Sequence, residues 1–347
     1  MLSALGNRRL YALLTVLISF AASAIGTRWL IDWLRARQFV ASENDRTMHQ
    51  GQVPQGGGIA VLAASLVTAL VFWPGSSWLG LLASASMALA VLSAINDARE
   101  IPVRWRLAAH VATSALALSL IPGSTLIFGG WLPFLLDRVL ALLAFAWFIN
   151  LYNFMDGIDG IAGVETITIA LGYVLVMSAA HGAPDLTGLA LAIAGAAAGF
   201  LVWNWHKARI FLGDVGSIPL GFLTGALLLQ LAATQSLAAA LILPLYYLTD
   251  ATLTLARRYL RGDKVWQAHR DHAYQRAARA VGSHSAVVIR IAGCNMVLAA
   301  SALLALRAPL LGLIAAGTAV AIIMRMLESL ADRAASDPEF ALNPMRF

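Results

Sequence analysis

Residues 161–203 read IAGVETITIALGYVLVMSAAHGAPDLTGLALAIAGAAAGFLVW. Two apolar runs, Ile161–Ala180 and Leu186–Trp203, are joined by the short turn Gly182-Ala183-Pro184-Asp185. Each run approaches the ~20 residues that carry a helix across a hydrocarbon core about 30 Å thick. Within one segment, only a helix satisfies every backbone hydrogen bond in that medium. The same pattern recurs outward in both directions, with spans near Leu10–Ile31, Gly57–Trp73, Trp78–Ile95, Leu107–Ile121, Asp137–Phe154, Val215–Ala233, Leu237–Arg258, Ala286–Leu306 and Pro309–Met326. The expected fold class is therefore all-α: a polytopic integral membrane protein with about eleven transmembrane helices, forming a single transmembrane domain over residues 1–347.

Composition agrees. Hydrophobic residues make up 60% and charged residues 12%, where soluble domains carry about a quarter charged. Mean hydropathy is +0.76. The single cysteine, Cys294, excludes an intrachain disulfide. The net charge of +6 points to a lipid surface rather than to nucleic acid, because it is unevenly distributed. Longer polar segments, 32–56, 96–106, 155–160, 204–214 and 259–285, fall on one side of the membrane. With the N-terminus outside, Arg8, Arg9, Arg138 and Arg307 are the only outside basic residues. That is the positive-inside pattern, so the N-terminus is expected in the periplasm and the C-terminus in the cytoplasm. A rival reading takes residues 1–24 as a cleaved leader. It strands Arg35, Arg37 and Arg46 outside and loses the bias.

Five inner segments carry chemically capable residues. Arg46 and His49, with Pro54-Gln55-Gly56-Gly57-Gly58 behind them, offer cationic donors and glycine amides to an anion at a helix start; a solvated loop explains them as well. Asn96-Asp97 closes the third span. In Asn150-Leu-Tyr-Asn153-Phe-Met-Asp156-Gly157-Ile-Asp159-Gly160, polar residues recur every three positions as a helix emerges, and boundary carboxylates at that density are functional by default. Phe211-Leu-Gly213-Asp214-Val-Gly216-Ser217 places a carboxylate before a span, suited to Mg²⁺ or to an N-cap. His269-Arg270-Asp271-His272 resembles a zinc fragment without a third ligand nearby; donors aimed at a diphosphate fit better. The basic residues Arg257, Arg258 and Arg261 also suit anionic lipid. Asp250, two turns inside a span, lines the site or pairs with a neighbouring helix. His110, His181, His206 and His284 read as ordinary interfacial or loop histidines.

Taken in order, these motifs over residues 40–285 resemble one family, the polyprenyl-phosphate N-acetylhexosamine-1-phosphate transferases of the glycosyltransferase 4 family. The resemblance implies a reaction at the cytoplasmic face of the bacterial inner membrane. Undecaprenyl phosphate attacks the β-phosphate of a UDP-N-acetylhexosamine, UMP leaves, and a lipid-linked sugar forms that initiates O-antigen or another cell-envelope polysaccharide. Asp214 then resembles the Mg²⁺ (or Mn²⁺) ligand, with Asn153. Phe211 resembles the ring under uracil. Asp156 and Asp159 resemble the substrate-contacting acids, beside Asn150. His269, Arg270 and His272, with Arg46 and His49, resemble the phosphate contacts, and Asp97 the carboxylate near the lipid phosphate. A homodimer is also implied. The loop wording His269-Arg-Asp-His272-Ala-Tyr-Gln is closer to the O-antigen-initiating branch than to the peptidoglycan branch.

The chain departs from the family at Asn96-Asp97, where two adjacent aspartates are usual; Asn96 is unable to accept a proton as a carboxylate does. A degenerate, inactive relative is one alternative that this motivates. A nucleotide-sugar or polyprenyl-phosphate transporter is another. Transporters, however, tend to show internal repeats and mid-membrane sites, and neither is visible here.

Overall fold

The structure is a computed structural model that describes residues 2–37, 53–99, 101–182, 186–264, 267 and 269–336. Thirteen helices account for nearly all of the described residues, with no strand among them: α1 (Leu2–Ala36), α2 (Gly58–Phe72), α3 (Leu79–Ala98), α4 (Val103–Leu118), α5 (Phe134–Met155), α6 (Ile161–Ala179), α7 (Thr187–Asn204), α8 (Asp214–Thr234), α9 (Leu237–Ile242), α10 (Leu245–Leu260), α11 (Ala273–Val281), α12 (His284–Ala305) and α13 (Pro309–Ser336). Eight of them are long and apolar enough to cross a bilayer, and α2 is a shorter apolar helix. The protein is an all-α, multi-pass membrane protein.

One expected span divides. The run Leu237–Arg258 breaks into α9 and α10 at Leu243-Pro244, because proline lacks an N–H and clashes with the preceding turn. Helix α10 carries Asp250, which meets the start of α11.

The bundle is built around α8, buried along almost its whole length. It is surrounded by α2, α3, α4, α5, α6 and α9. Helix α7 lies between α1, α2 and α6, and α12 pairs with α13. Large apolar side chains face outward, among them Leu13, Ile25, Val67, Val91, Leu143 and Ile322. Such a surface is stable against lipid tails and not against water.

Small residues let the helices approach closely, as lipid-embedded packing requires. A methyl group on Gly58 would fall on the Cα of Gly216, and one on Gly199 would meet the backbone of α1 at Phe20. Gly58→Ala is therefore expected to destabilise the protein by about 1–3 kcal/mol. Gly80→Ala, with nothing within 4 Å of the added carbon, is the control. Thermal unfolding in detergent compares the two; equal midpoints would contradict the close packing.

Candidate active site at one end of the bundle

The polar motifs gather where α3, α5, α7 and α10 end and α2, α4, α6, α8 and α12 begin. The first described link is between two motifs far apart in the chain. Phe211 N–H donates to Pro54 O at 2.9 Å, Gly56 and Gly57 N–H to Phe211 O at 3.1 and 2.9 Å, and Gly58 N–H to Leu212 O at 3.0 Å. The expectation that these glycine amides reach an anion is corrected here: they hold the Phe211 segment against the start of α2. Arg46 and His49 lie outside the described residues.

That clamp aims Asp214 from the first turn of α8. The N-cap position belongs to Gly213, which adopts φ 75°, and no side chain caps the helix. The N-cap reading of Asp214 is thus replaced by one in which its half-buried carboxylate serves no helix amide. Ser217, one turn on, donates from Oγ to Asn153 Oδ1 at 2.6 Å, joining α8 to the end of α5. Asn150 Nδ2 turns back to Ala146 O at 2.9 Å, within its own helix. Asp156, at the C-cap of α5, stands within electrostatic reach of both Asp214 and Asp159. Burial first, then the charges of Asp214 and Asp159, push its carboxyl up to about 7. Asp97, exposed at the end of α3, also lies within reach of Asp214 and of Arg106. Three carboxylates from α3, α5 and α8 thus share one polar region.

Asn96 has its own task. Its Oδ1 accepts from Ile101 N–H at 3.1 Å, closing the turn after α3. With Arg106, His110 and Ile218 it lines a small cavity.

The loop before α11 is fastened from below. Asp250 is fully buried. Its Oδ1 accepts from Ala273 N–H at 3.0 Å and from Thr254 Oγ1 at 3.1 Å. Its Oδ2 accepts from Tyr246 OH at 3.0 Å and from Tyr274 N–H at 3.3 Å. His272 Nδ1 stands 3.4 Å from Oδ1. The His269 and His272 rings lie 4.9 Å apart, and Arg270 is half-buried beside them. Tyr274 OH donates to Phe154 O at 3.3 Å, and Gly157 lies against the polar ends of Tyr274 and Gln275. The histidine segment is thereby docked on the end of α5. Arg257, Arg258 and Arg261 form intrachain ion pairs, with Glu328, with Asp271 and with Asp263 respectively.

Asp159 lies within electrostatic reach of Asp156 and has partners of its own. It is 2% exposed, and its Oδ2 accepts from Ala208 N–H at 3.1 Å and lies 3.0 Å from His206 Nδ1. His284 Nδ1 is 3.3 Å from the same oxygen. The reading of His206 and His284 as ordinary loop histidines is corrected: both converge on one carboxylate. Glu165, which carries no motif, is buried in α6 and accepts from Asn295 Nδ2 of α12 at 2.7 Å.

The match to known proteins follows this geometry. The family model described as glycosyl transferase family 4 matches residues 78–232, the stretch from α3 to α8 that supplies all three carboxylates. A Streptomyces coelicolor protein, named provisionally as a glycosyltransferase, is 30% identical over 83% of this chain and 69% of its own length. The chain belongs to glycosyl transferase family 4. Two further relatives are named phospho-N-acetylmuramoyl-pentapeptide-transferase. That of a Synechococcus species is 31% identical over 58% of this chain and 63% of the relative. That of Heliobacterium modesticaldum is 33% identical over 58% and 70%. The chain spans about two thirds of the length of these family members.

Proposed function

We propose that the chain transfers an N-acetylhexosamine 1-phosphate from a UDP-sugar to undecaprenyl phosphate at the cytoplasmic face of a bacterial inner membrane. Family membership supports a phosphosugar transferase acting on a polyprenyl phosphate in cell-envelope synthesis. The observation that carries the reading is the meeting of Asp97, Asp156 and Asp214 at one end of the bundle, with the His269–His272 segment docked beside them.

The residues fit a hard divalent cation. Carboxylate and amide oxygens are the donors Mg²⁺ takes, and the mutual repulsion of Asp156 and Asp214 is relieved by positive charge between them. Asp214 and Asn153 would hold the ion. When bound, it supplies neutralisation of the diphosphate and of the charge developing on UMP. Phe211 would stack on uracil at the mouth of the site. Asp156, with Asn150 behind it, would contact the sugar-phosphate, while Asp159 keeps the motif's loop in place. His269, Arg270 and His272, with Arg46 and His49, would bind diphosphate oxygens through charge-assisted hydrogen bonds. Asp97, at the membrane boundary, would sit by the incoming lipid phosphate. An oxygen of that phosphate attacks the β-phosphorus, the bond from the β-phosphorus to the α–β bridging oxygen breaks, and UMP departs with the electron pair.

Purified protein given undecaprenyl phosphate, Mg²⁺ and a panel of UDP-N-acetylhexosamines, including the GlcNAc, GalNAc, FucNAc and QuiNAc donors, is expected to release UMP with at least one. No release with any donor would remove the enzyme reading and favour a transporter or an inactive relative. The mass of the lipid product names the sugar, and the loop wording favours O-antigen initiation over peptidoglycan synthesis.

Asn96→Asp is expected to keep the turn, since a carboxylate accepts from Ile101 N–H as the amide does. It places a second negative charge beside Asp97. The rate should change while donor preference stays the same; a donor-competition assay that shows altered preference would refute this.

A further inference from the structure

A second cluster of ligating atoms lies beside the Asp97–Asp156–Asp214 group. Asp159 comes from the loop between α5 and α6, His206 from the segment between α7 and α8, and His284 from the first residue of α12. Asp159 Oδ2 lies 3.0 Å from His206 Nδ1 and 3.3 Å from His284 Nδ1, and one ligand atom from each residue falls within 4.8 Å of the other two. A tetrahedral site with metal–ligand distances of about 2.0–2.1 Å sets its ligand atoms about 3.3 Å apart. Two of the three edges are therefore close to metal-binding length, and the third closes by a small movement of the half-buried His206.

The surroundings prepare the ligands. The backbone N–H of Asp159 donates to His284 Nδ1 at 3.3 Å. That nitrogen is therefore unprotonated, as metal binding requires, and an ion would replace this N–H as its partner. Ala208 N–H orients the Asp159 oxygen at 3.1 Å, the kind of outer contact that holds a metal ligand in place. Asp159 and His284 are 2% and 6% exposed, which limits competition from water, and His206 provides the way in.

We propose that Asp159, His206 and His284 form a binding site for a borderline transition-metal dication, Zn²⁺ in preference to Mg²⁺. Two imidazole nitrogens and one carboxylate oxygen select zinc, cobalt or nickel over hard cations, which prefer all-oxygen shells. Three protein ligands leave the fourth position to water. The ion ties together the Asp156–Asp159 loop, the segment leading to Phe211 and Asp214, and the start of α12. Its occupancy therefore stiffens the frame on which the carboxylate group is mounted.

The test needs neither sugar nucleotide nor lipid, so its failure is distinct from failure of the proposed reaction. Full-length protein with any affinity tag removed is stripped of metal in detergent and titrated calorimetrically with Zn²⁺ in excess Mg²⁺. Saturable binding at one equivalent is expected, with Co²⁺ giving the visible absorption of a four-coordinate site. His206→Ala and His284→Ala should each weaken Zn²⁺ by at least about tenfold, and Asp214→Asn should leave it unchanged. His206 is half-buried in a loop, so its variant is expected to fold, which its melting curve verifies. Zn²⁺ binding no tighter than Mg²⁺, or tight binding that His206→Ala leaves intact, would overturn the proposal.

Discussion

Replacing Asp214 with alanine is expected to lower UMP release by roughly a thousandfold or more without unfolding the protein. The carboxylate caps no helix amide, so its removal orphans none. Its interaction with the α8 dipole is worth about 0.3–1 kcal/mol, and the loss is offset by relief of repulsion with Asp156 and Asp97. Stability should therefore stay level while turnover collapses, because the variant has lost the charge that would hold Mg²⁺ on the diphosphate. Asp214→Asn keeps the shape and removes the charge, and should fall nearly as far. UMP release at saturating donor and Mg²⁺, read beside melting temperature in detergent, separates the two effects. Wild-type turnover in the alanine variant would sink the assigned role.

Much of this arrangement is legible in the chain, and the limits have physical causes. The spans are legible because lipid imposes a length and a polarity on every helix that crosses it; residues 161–203 yield α6 and α7 within a few residues. The break at Leu243-Pro244 is hidden, because an apolar run with one proline also reads as a kinked single helix. The motif from Asn150 to Gly160 is legible because its residues are close in sequence and recur at helical spacing. The Asp159–His206–His284 cluster is not. Its members are separated by 47 and 125 residues, and no local period marks residues whose only relation is a meeting of two loops with the start of α12. The glycines of 56–58 mislead for a related reason. Their backbone freedom is visible, but whether the amides meet an anion or the Phe211 carbonyl depends on a tertiary contact. Glu165 is a single carboxylate near the start of an apolar helix, and only its contact with Asn295 gives it meaning.

Asp250→Asn is expected to lower kcat by about 10- to 100-fold with a small change in KM, through placement rather than contact. In the wild type both carboxylate oxygens accept: Oδ1 from Ala273 N–H, Oδ2 from Tyr274 N–H. Asparagine has one accepting oxygen and one NH₂ group. Either orientation sets the NH₂ against a backbone N–H. Tyr246 and Thr254 rotate their hydroxyls to suit, but a backbone amide has no such freedom. One amide in the first turn of α11 is left unpaired, at a cost of about 1–3 kcal/mol. The helix relieves this by moving, and His272 immediately precedes it while Tyr274 and Gln275 rest on the end of α5. A displacement near 1 Å at a remote support is enough for a hundredfold loss when catalysis depends on position. The His272–Asp250 contact also weakens, which adds to the displacement of His272. A variant with a lowered melting temperature but an unchanged kcat would show that Asp250 only stabilises the bundle.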